Sequence, residues 1–348
     1  MPAAAPPRPA GGPAACRPPP PPRSHPVTLE FLQPVIGQGM AEVDDTLRAS
    51  LASDVPLVRQ IGDYIIGSGG KRLRPALVLL ASGACGHHGR DQYTLAAVIE
   101  MIHTATLLHD DVVDESSQRR GRATANAAFG NAAAVLVGDF LYSRAFQMMV
   151  ALDRMPVLRI VSDATNVIAE GEVLQLMNAH DPDTTEQRYL EVIYRKTAKL
   201  FEAGAQMAAI VSGSSREIEQ SMVDYGRHLG TAFQLVDDVL DYKATAEELG
   251  KNLGDDLAEG KPTLPVIYAL AHAPAAEATR LREAIETGGI DDLDQITRLI
   301  ETSGGLEYTA RMARREKELA VEALGRLPAS KYRDALVTLA DFAVARTY

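Results

Sequence analysis

Six aspartates in two runs of identical spacing are the residues most able to do chemistry in this sequence. "HDDVVD" holds Asp110, Asp111 and Asp114, and "VDDVLD" holds Asp237, Asp238 and Asp241. On an α-helix, residues four apart stack on one face, so Asp110 and Asp114 point the same way with Asp111 beside them. Aspartate is a poor helix-interior residue, and adjacent carboxylates repel one another unless a cation neutralises them. For one such run, a solvated acidic face would be explanation enough. Here both runs lie in apolar helices, as in "TATLLHDDVV" and "FQLVDDVL", and carboxylates on a largely buried helix need partners. All-oxygen ligands suit Mg²⁺, which keeps several waters and takes one or two carboxylates plus substrate phosphates. Two such helices facing across a cavity would grip one polyphosphate through metal. The runs are not EF-hands, which need alternating oxygens and a central Gly over twelve residues.

Basic residues gather near these runs. "GGKRLRP" places Lys71, Arg72 and Arg74 in a loop before a helix. It is not a phosphate-cradling Walker loop, which would need Gly in place of Ile65 and Ser or Thr in place of Arg72. Arg119 and Arg120 follow the first aspartate run, and arginine makes two-pronged contacts with phosphate oxygens. Later come Lys196 in "YRKTAKL", Lys251 in "GKNLGDD" and Lys261 in "EGKPTLP". This distribution suggests two bound anions, one held through metal and one directly by Lys and Arg. His103 lies two helical turns before Asp110. It is either a satisfied core histidine or, near Lys71 and Arg74, a donor to phosphate.

The elements that must carry these residues are helical. Apolar residues recur at threes and fours in 41–51, 56–66, 92–114, 131–152, 157–179, 186–211, 215–242 and 262–271. No alternating strand pattern and no linker interrupts them, so residues 27–348 are expected to form one all-α domain, a helical bundle around a deep cavity. Residues 1–26 hold eleven prolines and no acid, and are expected to be a disordered tail. A net charge of −11 argues against nucleic acid as a partner. Cys16 in the tail and Cys85 in the body are not an expected disulfide. With no apolar run of transmembrane length, a cytoplasmic protein is expected.

The ordered motifs "GGKRLRP", "LLHDDVVDESSQRRGRATAN", "GEVLQL", "KTAKL", "FQLVDDVLDY" and "GDDLAEGKPTLP" resemble those of the trans-polyprenyl diphosphate synthases. The long-chain branch, the octaprenyl, solanesyl and decaprenyl enzymes, is the most similar. Ala123 departs from the pattern, where the family often has Pro. The resemblance implies a homodimer of the isoprenoid synthase fold. It would use two or three Mg²⁺ ions and add isopentenyl diphosphate to an allylic diphosphate, farnesyl or geranylgeranyl. Its products would supply quinone side chains, with only transient contact with lipid. By the same resemblance, Lys71, Arg74, His103 and Arg120 would hold isopentenyl diphosphate. Asp110, Asp114 and Asp237 would bind metal, supported by Asp111, Asp238 and Asp241. Arg119, Lys196 and Lys261 would contact the allylic diphosphate. Thr197 and Gln234 would lie beside the developing cation, and Lys251 and Asp255 would help to order the site. The family's chain-length gate would fall at Ala105 and Thr106, both small, which implies products of C40–C50. A terpene cyclase or a non-catalytic regulatory subunit would be expected to lack one of these motifs, and a plain helical binding module would need neither aspartate run.

Overall fold

The structure, a computed structural model, describes residues 29–67, 70–87, 89–243, 254–288 and 293–345. The expected tail and Lys251 lie outside these residues. In chain order the helices are α1 (Gln33–Ser50), α2 (Pro56–Gly67), α3 (Leu73–Ala84), α4 (Asp91–Val113), α5 (Ala125–Phe129), α6 (Asn131–Ala151) and α7 (Met155–Asn178). There follow α8 (Glu186–Ile193), α9 (Lys199–Val211), α10 (Arg216–Lys243), α11 (Asp255–Ala258), α12 (Leu264–His272), α13 (Ala275–Thr287), α14 (Leu293–Thr302), α15 (Gly305–Ala323) and α16 (Lys331–Ala345). Pro34, Pro156 and Pro265 sit in the first turns of α1, α7 and α12, where a missing N–H would be unpaired in any case. Thr124 and Thr185 cap α5 and α8 by accepting from Ala127 and Arg188.

The bundle is all-α, as its periodicity indicates. The helix α4 packs on α1, α3, α6 and α9, while α10 packs on α9 and α15. Their buried faces share one large apolar core that includes Leu77, Ile99, Met101, Phe201 and Leu229. A second, smaller core ties Tyr242 at the end of α10 to Leu257, Val266, Leu281 and Ile300.

Four segments differ from their sequence reading. The helix α1 begins at Gln33, eight residues before the expected 41, and Arg74, read as part of a loop, sits in the first turn of α3. The helix expected over 186–211 is broken by a π-helical turn, Tyr194–Ala198. The loop after the first aspartates holds a short antiparallel pair, β1 (Gln118–Arg119) with β2 (Arg122–Ala123). Arg120 (φ 55°) and Gly121 (φ 70°) are both left-handed, as a tight two-residue hairpin turn requires. The Tyr64 hydroxyl donates to the Ala123 carbonyl at 2.6 Å, which fastens the hairpin to α2 at the residue that departs from the pattern it resembles.

Candidate active site

Three bridges cross between α4 and α10. In the first, Lys196 Nζ stands 3.7 Å from Asp110 Oδ2. Its neighbour Thr197 donates to Gln234 Oε1 at 2.8 Å, and Gln234 Nε2 donates to Asp238 at 2.8 Å. In the second, Lys261 Nζ pairs with Asp114 at 2.9 Å. The Lys261 backbone N–H donates to the Asp256 carbonyl, and the Asp256 N–H to Asp241 Oδ2. In the third, Arg74 on α3 lies within electrostatic reach of both Glu100 on α4 and Asp237 on α10. The two aspartate helices therefore flank one shared space.

Lys196 and Thr197 reach it from the π turn, whose extra residue per turn redirects side chains. The neighbouring helices crowd this turn. A Cβ on Gly171 of α7 would stand 2.9 Å from the Lys196 nitrogen, and one on Gly230 of α10 would stand 2.6 Å from Ala198 Cα. Only glycine allows either backbone to approach so closely.

The repeated spacing does not give repeated exposure. Asp110, Asp114 and Asp237 are partly exposed, whereas Asp111, Asp238 and Asp241 are buried. Successive residues on a helix point about 100° apart, so adjacent aspartates cannot share one outlook. Asp111 instead accepts from Arg119 Nε at 2.8 Å and Nη2 at 2.7 Å. Asp238 accepts from the Tyr189 hydroxyl as well as from Gln234. Burial, then the charge of Asp256, pushes the Asp238 carboxyl well above the usual carboxylate range; Tyr189 and Gln234 pull against this, and Asp237 adds to it.

Among the described residues, no three or more acids, histidines or cysteines form a ready-made metal cage. The donor set nonetheless suits Mg²⁺: carboxylate oxygens, three of them on partly exposed residues, leaving room for phosphate and water. Asp255 opens α11, one residue before Asp256, which contacts Asp241.

Sequence reading missed Glu172, inside "GEVLQL" on α7. Lys196 Nζ donates to Glu172 at 2.6 Å and to Gln175 Oε1 at 2.7 Å. Burial pushes the Glu172 carboxyl up to about 6 against the pull of Lys196, and Asp110 and Asp114 add to the rise. Above that pH the ion pair with Lys196 is complete; as pH falls through 6 the proton returns and the pair is lost. Carbon-13 NMR of Glu172 in the substrate-free protein is expected to give a midpoint near 6. A midpoint at its ordinary 4.5 would contradict this electrostatic picture.

Lys261 has the opposite balance. Burial disfavours its charge, but Asp114 and Glu259 together outweigh burial and raise its pKa. It remains a cation beside the first aspartates at any physiological pH.

Beside the aspartates lies a cleft of about 600 Å³, counted to its open mouth. Its lining includes the basic residues Arg72, His103, Arg119 and Arg120 and the apolar residues Ile65, Leu107 and Leu108. Arg120 lies against the "GGKRLRP" loop: a Cβ on Gly70 would meet its Nη1 at 2.7 Å. Lys71 in that loop is exposed. Arg74 donates from Nη1 to His103 Nε2 at 3.1 Å and stacks over Phe201, 4.4 Å from the ring centre. Burial, partly offset by Glu100 and Asp237, lowers the Arg74 pKa to about 10. Because Arg74 is only a donor, the His103 proton belongs on Nδ1. Burial and then Arg74, Arg120, Arg119 and Arg72 hold the ring well below its usual pKa. His103 is thus a neutral ring in the cleft wall, satisfied on one nitrogen and a donor on the other.

Of the expected gate residues, Ala105 is buried in the main core and Thr106 is partly exposed, its hydroxyl donating to the His103 carbonyl at 2.8 Å. The cleft runs along the neighbouring stripe of α4, past Thr104, Leu107, Leu108 and Asp111.

The polyprenyl synthetase family profile matches residues 55–302. The chain belongs to this family. It is 54% identical over 321 residues to the octaprenyl diphosphate synthase of Escherichia coli (strain K12), covering 92% of this chain and 99% of the relative. Its fold matches a crystal structure of decaprenyl diphosphate synthase from Rhodobacter capsulatus with a TM-score of 0.87 at 45% identity, covering 91% of this chain and 99% of that one. A polyprenyl synthase from Caulobacter crescentus CB15, complexed with calcium and isoprenyl diphosphate, matches with a TM-score of 0.88 at 44% identity, covering 91% and 97% of the two chains. Long-chain polyprenyl synthases are therefore among its near relatives, and the family's isoprenoid synthase fold is the bundle described above.

Proposed function

We propose that this protein is a long-chain all-trans-polyprenyl diphosphate synthase. It joins an allylic diphosphate to isopentenyl diphosphate and repeats the addition to octaprenyl or decaprenyl length. The pairing of Lys196 and Lys261 with Asp110 and Asp114, opposite Asp237, is the observation that carries this reading.

On this reading Asp110, Asp114 and Asp237 would hold Mg²⁺ for the allylic diphosphate, with Asp111, Asp238 and Asp241 as inner braces. Bound Mg²⁺ supplies neutralisation of the leaving diphosphate's charge. Lys196, Lys261 and Arg119 add direct contacts that strengthen as the C–O bond breaks and charge builds on oxygen. The Thr197 hydroxyl oxygen and the Gln234 amide oxygen present negative dipoles to the allylic cation. Lys71, Arg74, Arg120 and His103 orient isopentenyl diphosphate, whose double bond attacks that cation. A proton then leaves to the released diphosphate, which completes the new double bond. The apolar surroundings keep water from the cation.

A homodimer fits the outer surface. Leu136 on α6 and Leu176 and Met177 on α7 are 66, 65 and 69% exposed, apolar side chains that a second copy would cover. Equilibrium sedimentation is expected to give twice the chain mass; a single-chain mass would overturn the dimer. No helix among the described residues is long and apolar enough to cross a membrane.

Mixing the protein with Mg²⁺, farnesyl diphosphate and labelled isopentenyl diphosphate, then sizing the products, tests the function. Products of eight to ten isoprene units are expected. No incorporation of label, or cyclised hydrocarbons, would refute the assignment.

A further inference from the structure

A buried carboxylate stands in the wall of the basic cleft. Glu100 lies on α4, three residues before His103, and its side chain is buried. Its Oε1 accepts from Arg72 Nη1 at 2.8 Å. Arg74 and Arg120 lie close enough to feel its charge, and Glu100, Arg72, His103 and Arg120 line the same cleft. A carboxylate in that place repels an incoming diphosphate, so it needs a compensating purpose.

The purpose is legible in what surrounds it. Arg72 and Arg74 from one segment and Arg120 from the hairpin converge on a space of low dielectric, where like charges repel strongly. Arg72 and Arg120 also hold left-handed backbones, φ 49° and 55°, which non-glycine residues rarely adopt. Arg72 occupies the N-cap position of α3 without a side-chain capping bond, so its ion pair with Glu100 is its described anchor. A guanidinium has five N–H donors, and the Glu100 contact uses one nitrogen, leaving others to face the cleft. The same stripe of α4 repeats the device about three turns on, where Asp111 anchors Arg119.

Resting on the isopentenyl diphosphate site proposed above, we infer that Glu100 is a positioning residue: it orients the arginines that receive that diphosphate and, through its ion pair, adds Arg72 to them. Its repulsion of the ligand is outweighed by the order it imposes on three cations.

The test is steady-state kinetics of full-length Glu100→Gln, which keeps the side chain's shape and removes its charge. The KM for isopentenyl diphosphate is expected to rise about tenfold, the scale of one charged hydrogen bond. The KM for the allylic primer and kcat are expected to move less than about twofold. Arg72→Met is expected to give the same selective rise, and adding Glu100→Gln to it no further rise. An unchanged or lower KM for isopentenyl diphosphate overturns the inference. So does an equal rise for both substrates, which would mark a general structural defect, or an additive effect in the double variant. Should Glu100→Gln fail to fold, Arg72→Met decides: an unchanged KM there overturns the inference. A wild-type protein that incorporates no isopentenyl diphosphate would instead defeat the proposed function itself.

Discussion

Replacing Asp110 or Asp237 with alanine is expected to lower turnover by about a thousandfold, the scale seen when a group that meets developing charge is removed, and to leave the fold intact. Both residues are partly exposed. The Asp110 contact with Lys196 is long, at 3.7 Å, and Lys196 keeps its closer partner Glu172 at 2.6 Å when Asp110 is removed. Asp238→Ala is expected to behave differently. It would leave the buried Tyr189 hydroxyl and the Gln234 amide without their acceptor, and unsatisfied buried groups cost about 1–3 kcal/mol each. Initial rates and thermal melts of the three variants separate the two roles. Near-normal turnover in either Asp110→Ala or Asp237→Ala would count against the metal assignment.

Ala105→Phe is expected to shorten the product from octaprenyl or decaprenyl length to three or four isoprene units, with the enzyme still active. Ala105 lies on α4 a little over one turn before Asp110, so a bulky ring there would stand under the growing chain. Its side chain is buried, and overpacking a core typically costs about 1–3 kcal/mol. A lowered melting temperature is therefore expected alongside the shorter product. Chain-length analysis of the dephosphorylated products reads the outcome directly. An unchanged product from a folded, active variant would place the growing chain elsewhere, along the stripe of Thr104, Leu107 and Leu108 that lines the cleft.

Much of this architecture is visible in the sequence because helices announce themselves by period. The readings of 56–66, 92–114, 131–152 and 215–242 agree with α2, α4, α6 and α10 to within a few residues. The π turn at Tyr194–Ala198 leaves no such mark, since one extra residue does not disturb a short apolar pattern. It packs against Gly171 and Gly230, distant in sequence, where two helices come into backbone contact with it. Strands of two residues are too short to alternate, so the hairpin at Arg120–Gly121 was legible only through its glycine.

The site shows the same division. Residue types and spacing identify Asp110, Asp114 and Asp237, because carboxylates on an apolar helix demand an explanation. The inner placement of Asp111, Asp238 and Asp241 follows from helical geometry, but their partners Arg119, Tyr189 and Asp256 come from other elements. Glu100 and Glu172 lie within helices without the repeated spacing of the aspartates, and only the fold shows which cations they meet. Glu100 did carry a signal: an acid inside "AAVIEMIH" must find a partner or stay neutral.

The most direct test of the shared site is a crystal structure with Mn²⁺ in place of Mg²⁺ and an unreactive allylic thiolodiphosphate. Anomalous scattering is predicted to place metal on Asp110 and Asp114 from one side and on Asp237 from the other, with the diphosphate between them and within reach of Lys196 and Lys261. Metal on one helix alone, or a diphosphate bound away from both, would contradict the account.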